Sequence, residues 1–325
     1  MPPEAKITAI HRPKDYAAIF TAAALGYAPH VALILMVLGT GGVARQAAAV
    51  AAMAVAVHIP YVRQIPMLVS RLFIRAFIVK GVQKPSRRLR AIFNEVTNAA
   101  DIKGLKIYQY NRGVIRNAMA FGNEIYVGQG LVTSLNRREL KAVIAHEIAH
   151  CKTRDISAGI VQFLPYSTSI MLNIGAVSLC FQNVPGLSLT MAFSGVAMAG
   201  GYCAYQKLVR AFGTRVMEYR ADRNALNFTR DPMAAAKAHI KISGMDAQNE
   251  TGAQKNWFYK FKKLFRTHPD TEDRVRAILA HGQALKDAGL LPARYAKQDF
   301  SKLMMDGVDL LAAPAKTPAK KLDIG

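Results

Sequence analysis

Acidic residues are scarce in this chain, cysteine is scarcer, and charge of either sign is missing from long stretches. The 325 residues hold 21 Asp and Glu against 43 Lys and Arg, a formal net charge of +22. Three cysteines cannot staple a chain of this length, which excludes a disulfide-built secreted scaffold. Hydrophobic residues make up 51%, so a disordered polyelectrolyte, which lacks apolar side chains, is excluded as well. What is present is an uncommon pairing, a sequence pI near 10.1 with a mean hydropathy of +0.11. Nucleic-acid-binding proteins are basic but seldom this apolar. Membrane proteins with basic cytoplasmic segments have both properties.

Charge is absent from three blocks. Tyr16 to Ala44 and Gln46 to Val62 are separated only by Arg45, and Ile156 to Gln206 runs for 51 residues without Asp, Glu, Lys or Arg. A membrane-spanning helix needs about 20 apolar residues. The third block therefore holds two spans, with a turn at Gln182-Asn183-Val184-Pro185-Gly186, and the first two blocks read as one span each. A buried helix pair in a soluble protein is the weaker reading, because soluble helices carry charge on one face. The first block is too long for a signal-peptide core and reads as a retained anchor. Lys and Arg gather behind the second block, at Arg63, Arg71, Arg75, Lys80, Lys84, Arg87, Arg88 and Arg90. The positive-inside rule then puts the soluble regions and both termini in the cytoplasm. The expected organisation is a basic segment 1–15, two transmembrane helices within 16–70, a soluble part 71–155, a transmembrane hairpin 156–207, a second soluble part 208–311 and a disordered tail 312–325.

Within the soluble parts, Lys84-Pro85-Ser86 opens an expected helix over 84–101. Leu105 to Tyr110 alternates as a strand. Val114 to Ala120 and Glu124 to Gly128 read as two more, joined by a Gly122-Asn123 hairpin. The next helix starts at Ser134 to Glu139, where Asn136 and Glu139 have capping-box spacing. Residues 208–229 and 231–245 read as helices, the second with Pro232 at its start, and another runs from near Asp270 to about His281.

The chemistry lies at His146-Glu147-Ile148-Ala149-His150. On a helix, positions i and i+4 share a face, so both imidazoles can grip one zinc ion, with Glu147 beside them as a base. Eight His and eight Glu placed at random give this pattern in roughly one such chain in two hundred. Zinc needs a third protein ligand and an open position. Glu218 and Asp222 lie one turn apart in Glu218-Tyr219-Arg220-Ala221-Asp222. Glu218 can complete the ligand set, and Asp222 can orient a liganding histidine through its other ring nitrogen. His150 lies six residues before the long uncharged block and Glu218 twelve after it, about 9 Å and 18 Å at helical rise. Both ligand helices can therefore extend the two arms of the hairpin, and zinc would sit near the cytoplasmic face of the membrane.

These residues resemble the M48 (Ste24-like) zinc metallopeptidases. Asn117-Ala118-Met119-Ala120-Phe121-Gly122, with Glu124 to Leu131, is similar to the family's segment before the zinc helix. Thr267-His268-Pro269-Asp270-Thr271-Glu272-Asp273-Arg274 is similar to its C-terminal His-Pro segment, with Asp270 where a second proline is commoner. The arrangement of spans around the motifs looks most like the HtpX branch of that family. The resemblance implies a mainly α fold with a small β-sheet, made of four transmembrane helices and a cytoplasmic zincin-type (gluzincin) catalytic domain. It implies one Zn²⁺ per chain on His146, His150 and Glu218, with Glu147 as the catalytic base. It implies cleavage of membrane or misfolded polypeptides at the cytoplasmic face, in stress-linked quality control, in a multi-pass protein of a bacterial inner membrane. Membrane lipid and polypeptide substrates are the expected partners, and nucleic acid is not. It also implies that His268 and Arg274 face the active site and stabilise the tetrahedral oxyanion, the alternative being that His268-Pro269 caps a helix and Arg274 forms a salt bridge. It implies that the Asn117–Val127 strands offer an edge to an extended peptide with Asn117 holding substrate, the alternative being a turn or edge role for Asn117.

Two rivals stand beside this reading, a CaaX-type prenyl-protein protease with the same zinc motifs and a non-catalytic membrane adaptor. An intramembrane protease is disfavoured, because Arg137, Arg138, Glu139 and Lys141 before the motif and Lys152, Arg154 and Asp155 after it keep the motif helix in water. Cys151, Cys180 and Cys203 read as packing residues. His11, His239 and His281 carry no motif. His30 and His58 fall in or near spans. Trp257, Phe258 and Tyr259 beside Lys255, Lys260, Lys262 and Lys263 read as a membrane-surface anchor.

Overall fold

The computed structural model describes residues 81–110, 117–153, 155, 189–247 and 268–304, with isolated positions 17 and 21. Its elements in chain order are β1 (Val82–Gln83), α1 (Arg87–Ala99), β2 (Lys106–Tyr110), β3 (Ala118–Phe121), β4 (Glu124–Gly128), α2 (Gln129–Ser134), α3 (Arg137–Thr153), α4 (Leu189–Thr229), α5 (Pro232–Ala247), α6 (Thr271–Asp287) and a 3₁₀ turn at Ala293–Tyr295. The described part is mainly helical, with one small mixed sheet. Most of the expected spans, the turn at 182–186 and the tail 312–325 lie outside the described residues. Among the described residues no helix is long and apolar enough to cross a membrane.

Helix α1 buries Leu89, Ile92, Phe93 and Val96, the i, i+3, i+4, i+7 stripe of an amphipathic helix. Each such side chain contributes about 1.5–3 kcal/mol when removed from water. The helix begins at Arg87, after Ser86, whose hydroxyl accepts from the Leu89 N–H at 3.3 Å. The proline-led stretch before it is entry, not helix.

The sheet order is β1-β2-β4-β3. β2 and β4 are parallel, with Tyr108 opposite Tyr126, and β3 returns antiparallel to β4 through the Gly122-Asn123 turn. Gly122 sits at φ +62°, a conformation that favours glycine, so the expected hairpin is present. β4 is buried along its whole length, as a central strand requires. One sheet face packs with α1 and α3 into a core that includes Ile107, Ile125, Val127, Leu140, Ile144 and Ile148.

Helix α3 starts with a reciprocal cap. Asn136 Oδ1 accepts from the Arg138 and Glu139 N–H groups at 3.0 Å, and the Asn136 N–H donates to Glu139 Oε2 at 3.0 Å. Lys241 of α5 reaches the same buried carboxylate at 2.7 Å. Helix α4 spans 41 residues, about 60 Å. It carries the chain without a break from the end of the third uncharged block through Glu218. Asp231 then caps α5 through the Ala234 N–H at 3.0 Å, leaving Pro232 at the first helical position, as expected. A second core joins Leu226, Ala235, Ala236, Val275, Ile278, Leu279 and Phe300. Helix α6 continues past the expected end near His281. Gly282 lies within it, and a Cβ there would lie 2.7 Å from the Pro232 ring. The glycine is needed for close packing of two helices.

Candidate metal centre

Helix α3 presents His146 and His150 one turn apart, and their Nε2 atoms approach to 3.0 Å. Helix α4 packs along α3 and brings in Glu218. Its Oε2 lies 3.5 Å from His146 Nε2 and its Oε1 lies 3.7 Å from His150 Nε2. A tetrahedral ion with bonds of about 2.0–2.2 Å spaces its donors about 3.3–3.6 Å apart, so the three residues fit zinc. Among the described residues these are the side chains found grouped for a single ion, with donor atoms all within 4.8 Å of one another.

The ring orientations support the same conclusion. His146 Nδ1 is 2.9 Å from Asp222 Oδ1, and His150 Nδ1 is 2.8 Å from Asp155 Oδ2. With both Nδ1–H groups donated to carboxylates, both Nε2 lone pairs face one point, which requires a cation or a proton there. Asp222 stands against the His146 nitrogen that faces away from Glu218. Asp155 was not expected, because it lies beyond the motif and two residues past the end of α3.

Each carboxylate is backed by an arginine. Arg274 of α6 grips Asp222 through Nε at 2.8 Å and Nη2 at 2.7 Å, and reaches Glu218 Oε2 through Nη1 at 3.0 Å. Arg220 of α4 donates to Asp155. His239 of α5, which no motif marks, lies with Nε2 3.3 Å from Asp222 Oδ1 and its ring edge-on to His146. His268 stands at the opening, its side chain 69% exposed, with Nδ1 3.2 Å from Glu218 Oε1. Asn117 opens β3 with its side chain exposed, while its carbonyl accepts from the Gly128 N–H at 2.9 Å and the Tyr110 hydroxyl at 3.2 Å. Glu147 is buried beside the histidines. Cys151 packs against the first core, as expected, and burial pushes its thiol up to about 12.

The electrostatics follow from this crowding. Burial opposes a charge on His146, but Asp222 and Glu218 outweigh it and carry its pKa to about 10 in the metal-free protein. Burial would raise Glu218 and Asp222. For Glu218 the hydrogen bonds and charges of its neighbours, His146 and Arg274 among them, prevail, and for Asp222 the Arg274 guanidinium and His146 prevail, so both carboxyls titrate well below their ordinary values. His239 is pushed down, by burial first and then by Arg274. The Tyr110 phenol is raised by burial and by the charge of Glu147, which places it within electrostatic reach of that residue.

Sequence comparison with known proteins agrees with the geometry. A family model described as Peptidase family M48 matches residues 83–281. The Protease HtpX homolog of Caldanaerobacter subterraneus subsp. tengcongensis is 30% identical over 212 residues, which cover 58% of this chain and 70% of that protein. The homolog of Campylobacter hominis is 27% identical over 222 residues, 62% of this chain and 77% of that one. The homolog of Dictyoglomus turgidum is 29% identical over 234 residues, 63% and 74% of the two chains. The crystal structure of S. mikatae Ste24p gives a TM-score of 0.47 at 17% identity, covering 82% of this chain and 65% of that one, just under two thirds of its length.

Proposed function

The chain belongs to peptidase family M48 and is a zinc metallopeptidase with a candidate His-His-Glu metal site, and from that premise we propose that it is a membrane-embedded endopeptidase. It hydrolyses peptide bonds of membrane or misfolded proteins at the cytoplasmic face, in protein quality control. The observation that carries the reading is the convergence of two imidazole Nε2 atoms and the Glu218 carboxylate beside a buried Glu147.

In this reading His146, His150 and Glu218 hold the zinc. Zinc bound there would polarise the scissile carbonyl and activate the attacking water. Glu147 accepts the proton of that water and passes it to the leaving amine. Asp222 fixes the tautomer of His146, and Asp155 does the same for His150. Arg274 has all three of its nitrogens on Asp222 and Glu218. That favours a positioning role for it and leaves the exposed His268 as the group free to meet an oxyanion. β3 is an edge strand of the described sheet and packs on α3, so an extended peptide can pair along it with Asn117 at one end. Membrane embedding rests on the three uncharged blocks and their basic flanks: two helices within 16–70, a hairpin over 156–207, and a catalytic domain assembled from 71–155 and 208–311.

The test uses the full chain purified in detergent. It should hold about one zinc per chain, lost in His146→Ala. Glu147→Gln should keep the zinc and lose cleavage of an unfolded membrane-protein substrate by at least about 100-fold. Undiminished cleavage by Glu147→Gln would overturn the mechanism. Preference for a prenylated C-terminal peptide over that substrate would replace the quality-control reading with a CaaX-type one.

A further inference from the structure

A cleft of about 290 Å³ lies beside the metal centre, between α4 and the start of α6. Its apolar wall is Phe212, Val216 and Tyr219, at i, i+4 and i+7 on the helix that carries Glu218, faced by Pro269. His268 belongs to both places. It lines the cleft, and its Nδ1 lies 3.2 Å from Glu218 Oε1. Phe212 is 45% exposed, a large aromatic left uncovered where it meets the opening. Arg215 together with Asp270 and Asp273 puts charges of both signs around the lining.

We infer that this cleft is a specificity pocket for one large apolar side chain (Phe, Leu or Met) of the polypeptide, close to the scissile bond. This rests on the peptidase reading above. Sites for whole small molecules run from about 300 to 1,000 Å³, so the cleft is at the size of one bulky side chain and its flanking backbone. A wall of aromatic, valine and proline surface gains from burying an apolar group. Arg215 is outnumbered by Asp270 and Asp273 at the lining, which disfavours an acidic side chain, and the Lys peptides of the series separate a charge preference from an apolar one. Continuity with the metal centre through His268 means that a peptide lying across His146, His150 and Glu218 passes the mouth of the cleft. Tyr219 follows Glu218 directly in the chain, so the wall and the ligand move as one rigid helix. The pocket thus keeps a fixed offset from the reacting bond, which is what a specificity pocket requires.

The test is a peptide series cleaved by the full-length, zinc-loaded protein in detergent, with Phe, Leu, Met, Ala, Glu or Lys placed in turn at each of three positions on either side of the scissile bond. At one position the large apolar residues should exceed Ala by about tenfold or more in kcat/KM. Val216→Trp, which fills the cleft, should bring that ratio near one at that position alone. Phe212→Ala, at an exposed residue, should lower it about threefold. Zinc content of each variant reports whether it has folded, and if Val216→Trp loses zinc the Phe212→Ala ratio decides. An unchanged ratio in a zinc-loaded variant overturns the pocket while leaving the peptidase intact. A wild type that cleaves none of the series overturns the proposed peptidase itself, before any variant is made.

Discussion

The two histidines of the candidate metal site are held in the same way by different parts of the molecule. His146 rests on Asp222, whose other partners are Arg274 of α6 and His239 of α5. Three helices besides its own therefore determine where that imidazole points. His150 rests on Asp155, five residues further along the same stretch of chain, backed by Arg220 of α4. One support is gathered from across the fold and the other is mostly local. The same Nδ1–H to carboxylate device is thus built once from tertiary packing and once from the end of a single helix. The His146 side depends on the whole second core being in place. The His150 side depends on α3 meeting α4.

That contrast predicts unequal responses. Asp222→Asn removes a charge that anchors His146, Arg274 and His239 together, and zinc affinity should fall about 100-fold. Asp155→Asn should cost nearer tenfold. Competition with a chelator measures both, and equal losses would erase the distinction. Proton linkage comes next. In the metal-free chain His146 is raised from 6.5 to about 10, so its contribution to stability is complete below about 6.5 and is lost as pH rises through about 10. Glu218 and Asp222 run the other way. Their contributions are present above their ordinary values of 4.5 and 3.8 and are lost as pH falls through the lower folded ones. Thermal unfolding of metal-free protein should therefore weaken from neutral to alkaline pH, and zinc loading near pH 7.5 should release about one proton, read by calorimetry in buffers of different ionisation enthalpy. Gly282→Ala should lower stability by about 1–3 kcal/mol, because the Pro232 ring cannot yield. It should disturb the His146 side, which relies on α5 and α6, more than the His150 side. Smallest is Glu95→Ala. It removes half-exposed pairs with Lys141 and Arg137 at 2.6 and 3.2 Å and should cost under about 1 kcal/mol in a urea titration.

Much of the fold could be read from local chemistry. Asn136 with Glu139, Gly122 in its turn and Pro232 at a helix start each write their structure into a few neighbouring residues. His146, His150, Glu218 and Asp222 were legible because i, i+4 spacing on a helix is a geometric fact visible in one dimension. Other features were not. β1 has only two residues, too few to show alternation, and exists because Val82 and Gln83 pair with Tyr110 and Gln109. α2 is made of Gln129 to Ser134, where the Thr133 and Ser134 hydroxyls bond back to the preceding turn, so propensity argues against a helix there. Asp155 stands at i+5 from His150, about 140° away on a continued helix. Its role appears only once the structure sets its carboxylate against His150. His239 needs the bend at Arg230 and Asp231, which sets α5 against α3 and α6 and lets the imidazole reach Asp222. The one sequence clue to Asp155 was position, since it is the last charge before the 51-residue block.

The order in which the centre's parts occur along the chain sets a clock. His146 and His150 are synthesised early, but Glu218 and Asp222 follow the long apolar block, and Arg274, which clamps both carboxylates, comes 124 residues after His150. At about 5–20 residues per second of synthesis, roughly 6–25 s separate the first ligands from the residue that closes the centre. Throughout that interval the nascent chain carries a motif helix with no completed centre. The centre's two carboxylates stay unclamped until Arg274 has been made and α6 has docked.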